Sequence, residues 1–279
     1  MLTDFGLADY YVGAVKGTVL RLAPETQLVD LSHEVPPGDV EGAADLLAAA
    51  APTFPAGTVH LAVVDPGVGS ARRLLVVEWG GHKFVAPDNG LLTPQLRAGG
   101  EAWSVTRRDL FLDVAGGGVT FHGRDRFAPI AAALLRGERP GELGESIDAA
   151  VRLPIPEPRR ESEEGEIVLY GRVARVDRFG NVITDLPAAW LEGAEDGSAV
   201  TVRFDQGEAG GLGPVRLRRV RFYDELLARE PGVLTGSLGT LELSLRGESL
   251  AARWAIRRGA AVRVEVPIRG GDAAAPRPA

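Results

Sequence analysis

Thr58-Val59-His60-Leu61-Ala62-Val63-Val64-Asp65-Pro66-Gly67-Val68-Gly69 is the stretch that decides the fold. Its first seven residues are almost continuously apolar, as in a strand buried on both faces, and a carboxylate on a Pro-Gly turn follows at once. A strand buried on both faces needs helices above and below it. Tyr10 to Leu22 and Asp39 to Ala51 read as such helices, the second with Asp39 as N-cap and an alanine-rich body. Gln27 to Leu31, Leu74 to Trp79 and Lys83 to Val85 read as companion strands, and Arg126 to Arg136 as a helix ended by Gly137. Residues 1–153 are therefore expected to form an α/β domain with a mainly parallel sheet flanked by helices. Leu2-Thr3-Asp4 reads as the end of a first strand with almost no body, because strands usually run about five or six residues. Either that strand is unusually short or the true start lies upstream.

The composition changes at Leu153-Pro154-Ile155-Pro156-Glu157-Pro158-Arg159-Arg160-Glu161-Ser162-Glu163-Glu164-Gly165, which is rich in proline and charge and reads as a linker over 154–165. Beyond it come short, mostly alternating strands at Ile167 to Val176, Val182 to Asp185, Ala199 to Phe204, Val215 to Val220, Leu241 to Leu245 and Ala261 to Val266. These predict a smaller, mainly antiparallel β domain over 166–269. Residues 270–279 read as a disordered tail.

The chain has 279 residues, 45% hydrophobic and 25% charged, enough to bury sizeable cores. No run approaches the roughly 18 to 20 apolar residues that span a bilayer, and the first residues lack a signal-like basic and apolar pattern, so a cytoplasmic protein with no membrane partner is expected. With no cysteine, disulfides, thiolate nucleophiles and cysteine zinc sites are excluded. A net charge of -7, with Lys16 and Lys83 the only lysines, speaks against a nucleic-acid partner. Arg216-Leu217-Arg218-Arg219-Val220-Arg221 reads as an exposed strand face.

The unusual polar residues fall in short clusters with glycine or proline: Thr3-Asp4-Phe5-Gly6, Asp65 to Gly69, Ala86-Pro87-Asp88-Asn89-Gly90 and Thr120-Phe121-His122-Gly123-Arg124-Asp125. Such loops present side chains for chemistry. The Asp65 turn superficially resembles a dinucleotide-binding Gly-x-Gly-x-x-Gly turn, but Arg72 stands at the third glycine and no helix pattern follows. What remains is a carboxylate at the C-terminal end of a strand, where open parallel sheets bind ligands, or an aspartate capping a turn against an arginine. His122 precedes a helix, whereas His33, His60 and His82 read as ordinary surface or half-buried residues. Asp4 and Asp9 straddle a turn before a helix that either could cap, and Asp177-Arg178-Phe179-Gly180-Asn181 reads as a β-turn between strands. Asp4, Asp9, Asp65, Asp88 and His122 show no metal-ligand spacing, so no metal is expected.

Taken together, these clusters, with Asp9-Tyr10-Tyr11-Val12-Gly13, Lys16-Gly17, Arg72-Arg73 and Leu91-Leu92, resemble the S-adenosyl-L-methionine hydroxide adenosyltransferases, hydrolytic relatives of the fluorinases and chlorinases. The resemblance spans nearly the whole chain and implies cleavage of S-adenosyl-L-methionine to adenosine and L-methionine by water or hydroxide at the ribose C5′. It implies no cofactor, the nucleoside being the substrate, and a homotrimer whose sites join the first domain of one subunit to the second domain of its neighbour. Asp65, Arg72 and His122 would surround the nucleophilic water, and Asp4 would bind the ribose hydroxyls. Asp9, Asp177 and Ser237 would hold the methionine head, while Phe179, Asn181 and the backbone near Leu245 and Gly247 would contact adenine. The halogenases carry tyrosine at the positions of Asp65 and His122, so the chain resembles the water-using branch. It departs at Leu238, where the halogenases have an arginine, and at Gly38, where they have a tryptophan. Three other readings stand beside this one: an adenosyl halogenase, a metal-dependent phosphohydrolase and a non-catalytic nucleoside-binding protein.

Overall fold

The computed structural model describes residues 1–113, 120–163, 166–191, 198–207 and 210–267. The chain forms two compact units, Met1–Pro154 and Ile155–Ala279. The tail expected to be disordered, 270–279, lies outside the described residues.

In the first unit the elements run β1 (Leu2–Thr3), α1 (Tyr11–Leu22), α2 (Val40–Ala50), β2 (Val59–Val63), β3 (Leu74–Trp79) and β4 (His82–Pro87). They continue with α3 (Thr93–Arg97), β5 (Glu101–Val105), α4 (Ala128–Leu135), α5 (Pro140–Leu143) and β6 (Gly144–Ser146). The sheet order is β1-β2-β4-β3-β5-β6. Only β1–β2 and β2–β4 are parallel, whereas β4–β3, β3–β5 and β5–β6 are antiparallel. The sheet is thus mixed, which corrects the expected mainly parallel one. The cause is local. Gly80 and Gly81, at φ 59° and 79°, join Trp79 to its partner His82 as a two-residue hairpin, a connection that parallel strands cannot use.

Burial follows the pleat of β2. Leu61 and Val63 pack on one face with Val15 and Val19 of α1 and Ile130 and Leu134 of α4, while Ala62 and Val64 face Ala43 and Leu47 of α2. Both faces are covered, and the strand is apolar apart from the buried His60. Asp39 caps α2 by accepting from the Gly42 amide, as expected. The expected strand Gln27 to Leu31 forms no ladder; its continuation pairs with β1 in an isolated bridge between Leu2 and Ser32.

In the second unit, β7 (Arg159–Glu163) lies inside the stretch read as linker and pairs with β8 (Glu166–Val176). Then come β9 (Val182–Pro187), β10 (Ala199–Asp205), β11 (Gly211–Arg219), β12 (Gly232–Thr235), β13 (Thr240–Ser244), α6 (Leu250–Trp254) and β14 (Ala261–Pro267). The order β14-β10-β11-β12-β13-β9-β8 closes through a β14–β8 pairing into a seven-stranded barrel, with β7 added on β8. All its pairings are antiparallel except β11–β12. Alternate residues such as Val200, Val202 and Phe204, Val262, Val264 and Val266, and Leu241 and Leu243 fill the interior.

Candidate active site

Asp65 leaves the C-terminal end of β2, where Val68 N donates to its carbonyl and bends the chain back toward Arg72. The Arg72 guanidinium grips this carboxylate bidentately, Nε donating to Oδ1 at 2.6 Å and Nη2 to Oδ2. Nη2 also lies 2.9 Å from Nδ1 of His122. An arginine cannot accept a hydrogen bond, so Nδ1 is the acceptor and the imidazole proton resides on Nε2. Burial is deep: the Arg72 and Asp65 side chains are 9% and 5% exposed and His122 is 3% exposed. The guanidinium also lies over the Phe127 ring, 5.2 Å from its centroid.

His122 is placed by an unusual turn. Gly123–Phe127 form a single π-helical turn before α4, where a regular helix beginning at Arg126 was expected. Pro129 has no N–H to offer the Asp125 carbonyl, which accepts instead from Leu112 N at 2.8 Å. Gly123 is closely packed: a Cβ would approach the Phe121 and Phe5 rings at 3.2 and 3.3 Å, so those rings would have to give by a few tenths of an ångström. Those rings meet edge to face at 6.1 Å, seating the Asp4–Gly6 loop on the His122 loop. Arg124 is committed to Asp125 by two bonds of 2.6 and 2.9 Å.

Asp4 follows β1 and accepts from Gly38 N at 2.9 Å, and the position of a Gly38 Cβ lies 3.8 Å from Pro66. Asp4, Gly38, Pro66, Asp65, Arg72 and His122 therefore share the edge formed by the ends of β1 and β2. Asp9 is exposed and makes no cap to α1, whose N-cap Tyr10 has no side-chain hydrogen bond. Sequence reasoning missed the device that holds the Asp4 loop. His33 lies 2.9 Å from Asp30 through Nε2 and 2.8 Å from the Thr3 hydroxyl through Nδ1, and its carbonyl accepts from Gly6 N at 2.8 Å. Asp30 is held below the ordinary carboxylate range by Lys16 and His33, which outweigh its partial burial. His33, His60 and His82 are all buried, at 3%, 4% and 5% exposed, which corrects their reading as surface or half-buried residues. Burial, together with the neighbouring His82, pushes His60 down to about 4.

Asp88 and Asn89 serve structure. Asp88 accepts from Arg73 Nε at 2.7 Å and Val151 N at 2.8 Å, and Asn89 donates to the Val64 carbonyl at 2.8 Å. Among the described residues, no group of three or more His, Cys, Asp or Glu could hold a metal ion, and no helix is long and apolar enough to cross a membrane.

In the second unit the turn between β8 and β9 gathers three predicted residues. Asp177 Oδ1 accepts from the amides of Phe179 and Asn181, and Oδ2 from Asn181 Nδ2, each at 2.9 Å. This turn leaves Phe179 79% exposed and buries Asn181. Ser237 and Leu238 form the exposed β12–β13 turn, Leu245 is buried just past β13, and Gly247 lies exposed at φ 77°.

Comparison with known proteins agrees with both units. Residues 1–144 match the SAM hydroxide adenosyltransferase N-terminal domain and residues 171–263 the corresponding C-terminal domain. An (R)-S-adenosyl-L-methionine hydrolase of Salinispora tropica is 47% identical over 68% of this chain and 72% of its own length. A protein of the same name from Thermus thermophilus is 37% identical over 94% and 97%. The crystal structure of an uncharacterized conserved protein from Thermotoga maritima superposes with a TM-score of 0.85 at 32% identity, covering 94% of this chain and 98% of that one. On sequence and on fold, the chain belongs to the SAM hydroxide adenosyltransferase family.

Proposed function

We propose that this protein hydrolyses S-adenosyl-L-methionine to adenosine and L-methionine by attack of water or hydroxide at the ribose C5′. The observation that carries this reading is Arg72 bridging Asp65 and His122 at a strand's C-terminal edge. A sulfonium departs as a neutral thioether, so the leaving group needs no acid, and the work left to the enzyme is to orient a nucleophile in line with the C5′–S bond. Asp65 accepts a hydrogen bond from that water and orients it. Arg72, a permanent cation, fixes the carboxylate and favours hydroxide character. With Nδ1 accepting from Arg72, the proposed part of His122 is to donate from Nε2 to the oxygen nucleophile.

Asp4 is proposed to bind the ribose hydroxyls, and Asp9 and Ser237 the methionine head. Asp177, whose oxygens accept from its own turn, acts there through charge and by shaping the turn that presents Phe179 and Asn181 to adenine beside the backbone of Leu245 and Gly247. Following the resemblance, the proposed assembly is a cytoplasmic homotrimer with shared sites, needing neither metal nor cofactor.

Chromatography of products after incubation with S-adenosyl-L-methionine tests the reaction: adenosine and methionine are expected in equal amounts, undiminished by chelator and independent of halide. Loss of activity in chelator would point to a metal-dependent phosphohydrolase, halide dependence to a halogenase, and adenosine binding without turnover to a binding protein. Light scattering that finds an active monomer would remove the trimer.

A further inference from the structure

Asp30, His33 and Thr3 form a relay that takes no part in the chemistry proposed above. Nε2 of His33 lies 2.9 Å from Asp30 Oδ1, and Asp30 Oδ2 takes the Lys16 ammonium at 2.5 Å. A carboxylate only accepts, so Nε2 carries the ring proton and Nδ1 is left as an acceptor. The Thr3 hydroxyl, 2.8 Å away, therefore donates to Nδ1, and its oxygen accepts from Phe5 N at 3.3 Å. Carboxylate, imidazole and hydroxyl have here the connectivity of a nucleophile triad, but Thr3 is 0% exposed and its hydroxyl cannot meet a substrate. The relay can only hold backbone.

The backbone it holds carries Asp4. On one side of Asp4, Thr3 N donates to the Ser32 carbonyl at 3.1 Å; on the other, Gly6 N donates to the His33 carbonyl at 2.8 Å. Gly6 turns the chain between them at φ 67°, a conformation glycine takes without strain. Asp4 Oδ2 accepts from Gly38 N at 2.9 Å, and among the described residues Oδ1 takes no hydrogen bond. All these partners come from one stretch, Ser32 to Gly38, which fixes both neighbours of Asp4 and one oxygen of its carboxylate and leaves the other oxygen to a ligand. Most of its bonds use backbone atoms; the side chain through which it bonds to the Asp4 loop is the His33 imidazole.

We propose that His33 is a positioning residue for the substrate's ribose: oriented by Asp30, it fixes Thr3 and Gly6 on either side of Asp4, so that the carboxylate, with Oδ2 held by Gly38, keeps Oδ1 set for the ribose hydroxyls. This deepens the reading of Asp4 as the ribose-binding carboxylate and rests on it. A short strand such as β1, with Leu2 and Thr3 alone, is a weak mount for a binding residue, and the His33 relay supplies from a neighbouring segment the rigidity that β1 lacks.

Calorimetric titration of adenosine and of 2′,3′-dideoxyadenosine, which lacks both ribose hydroxyls, tests the assignment without requiring turnover. The wild type is expected to prefer adenosine about 10- to 100-fold, and Asp4→Ala to abolish that preference. His33→Ala is expected to shrink the preference about tenfold through adenosine alone, with the dideoxy analogue held within about twofold. Thr3→Val, which removes the hydroxyl at nearly constant shape, is expected to do the same should His33→Ala not fold, and Thr3→Ser, which restores the hydroxyl, to keep the wild-type preference. Equal weakening of both ligands, or a preference intact in folded His33→Ala and Thr3→Val but lost in Asp4→Ala, would overturn the positioning role and leave Asp4 as the ribose carboxylate. A preference absent from the wild type, or intact in Asp4→Ala, would overturn the ribose role of Asp4 and the role of His33 with it.

Discussion

Arg72 and Arg73 are neighbours in the chain and face opposite tasks. Arg73 lies at the open end of the β3–β4 hairpin, where its carbonyl accepts from Asp88 N at 3.1 Å and its guanidinium meets the Asp88 carboxylate across the two strands. The same guanidinium reaches the Ala149 carbonyl at 2.5 Å, and Asp88 takes Val151 N, so the pair clips the end of the first unit onto its sheet. Arg72 turns the other way, to Asp65 seven residues earlier and His122 fifty residues later. Both are aspartate–arginine pairs at one sheet edge. The difference is what else they touch: the Asp88 carboxylate is divided between a guanidinium and a backbone amide, whereas the Arg72 pair is joined to an imidazole. An ion pair alone says little about function, and its third partner decides.

The largest expected effect breaks the catalytic member of this comparison. Asp65→Asn keeps the shape and one acceptor for Arg72 but removes the charge that orients water, so kcat is expected to fall by about 10² to 10⁴. Adenosine affinity measured by calorimetry should change far less. Near-normal turnover in this variant would end the water-orienting role of Asp65.

Asp88→Asn is the matching control. It weakens the Arg73 clip and is expected to cost about 1 to 3 kcal/mol of stability, each kcal/mol lowering the melting temperature by about 2 to 4 °C, with kcat per folded molecule unchanged. If turnover collapsed as in Asp65→Asn, the division between a structural and a reactive pair would be wrong.

The smallest effect separates titration in the core from titration at the site. His60 is stacked on Phe84 at 4.9 Å, and its pKa lies near 4, below the ordinary 6.5. Between those values the unfolded chain takes up a proton that the folded chain refuses, so stability is full above about pH 6.5 and declines as pH falls toward 4. Thermal melts are expected to drop by several degrees between pH 7 and pH 5, and His60→Gln should flatten that slope. An unchanged slope would assign the acid sensitivity to groups other than His60.

Much of the architecture was legible because hydrophobic period is a local property. The strands Leu74–Trp79 and Val59–Val63, both long helices and the Asp39 cap appear where apolar spacing and capping chemistry put them. The direction of β3 against β4 is also a local property, set by Gly80-Gly81, but the sequence reading of a mainly parallel sheet made no use of that pair. Other elements gave weaker signals: β5 begins with Glu101, β6 has three residues, and β7 is densely charged.

Local sequence by itself determined which segments are strands or helices and which loops carry carboxylate, amide and imidazole beside glycine. It could not determine which of those groups meet. That His33, His60 and His82 are buried and that Arg72 finds His122 are outcomes of tertiary structure alone. The physical reason is that burial and pairing depend on atoms supplied by residues distant in the chain. Adjacent residues entering a strand point to opposite faces, so two identical arginines were assigned different partners only when the sheet formed between them.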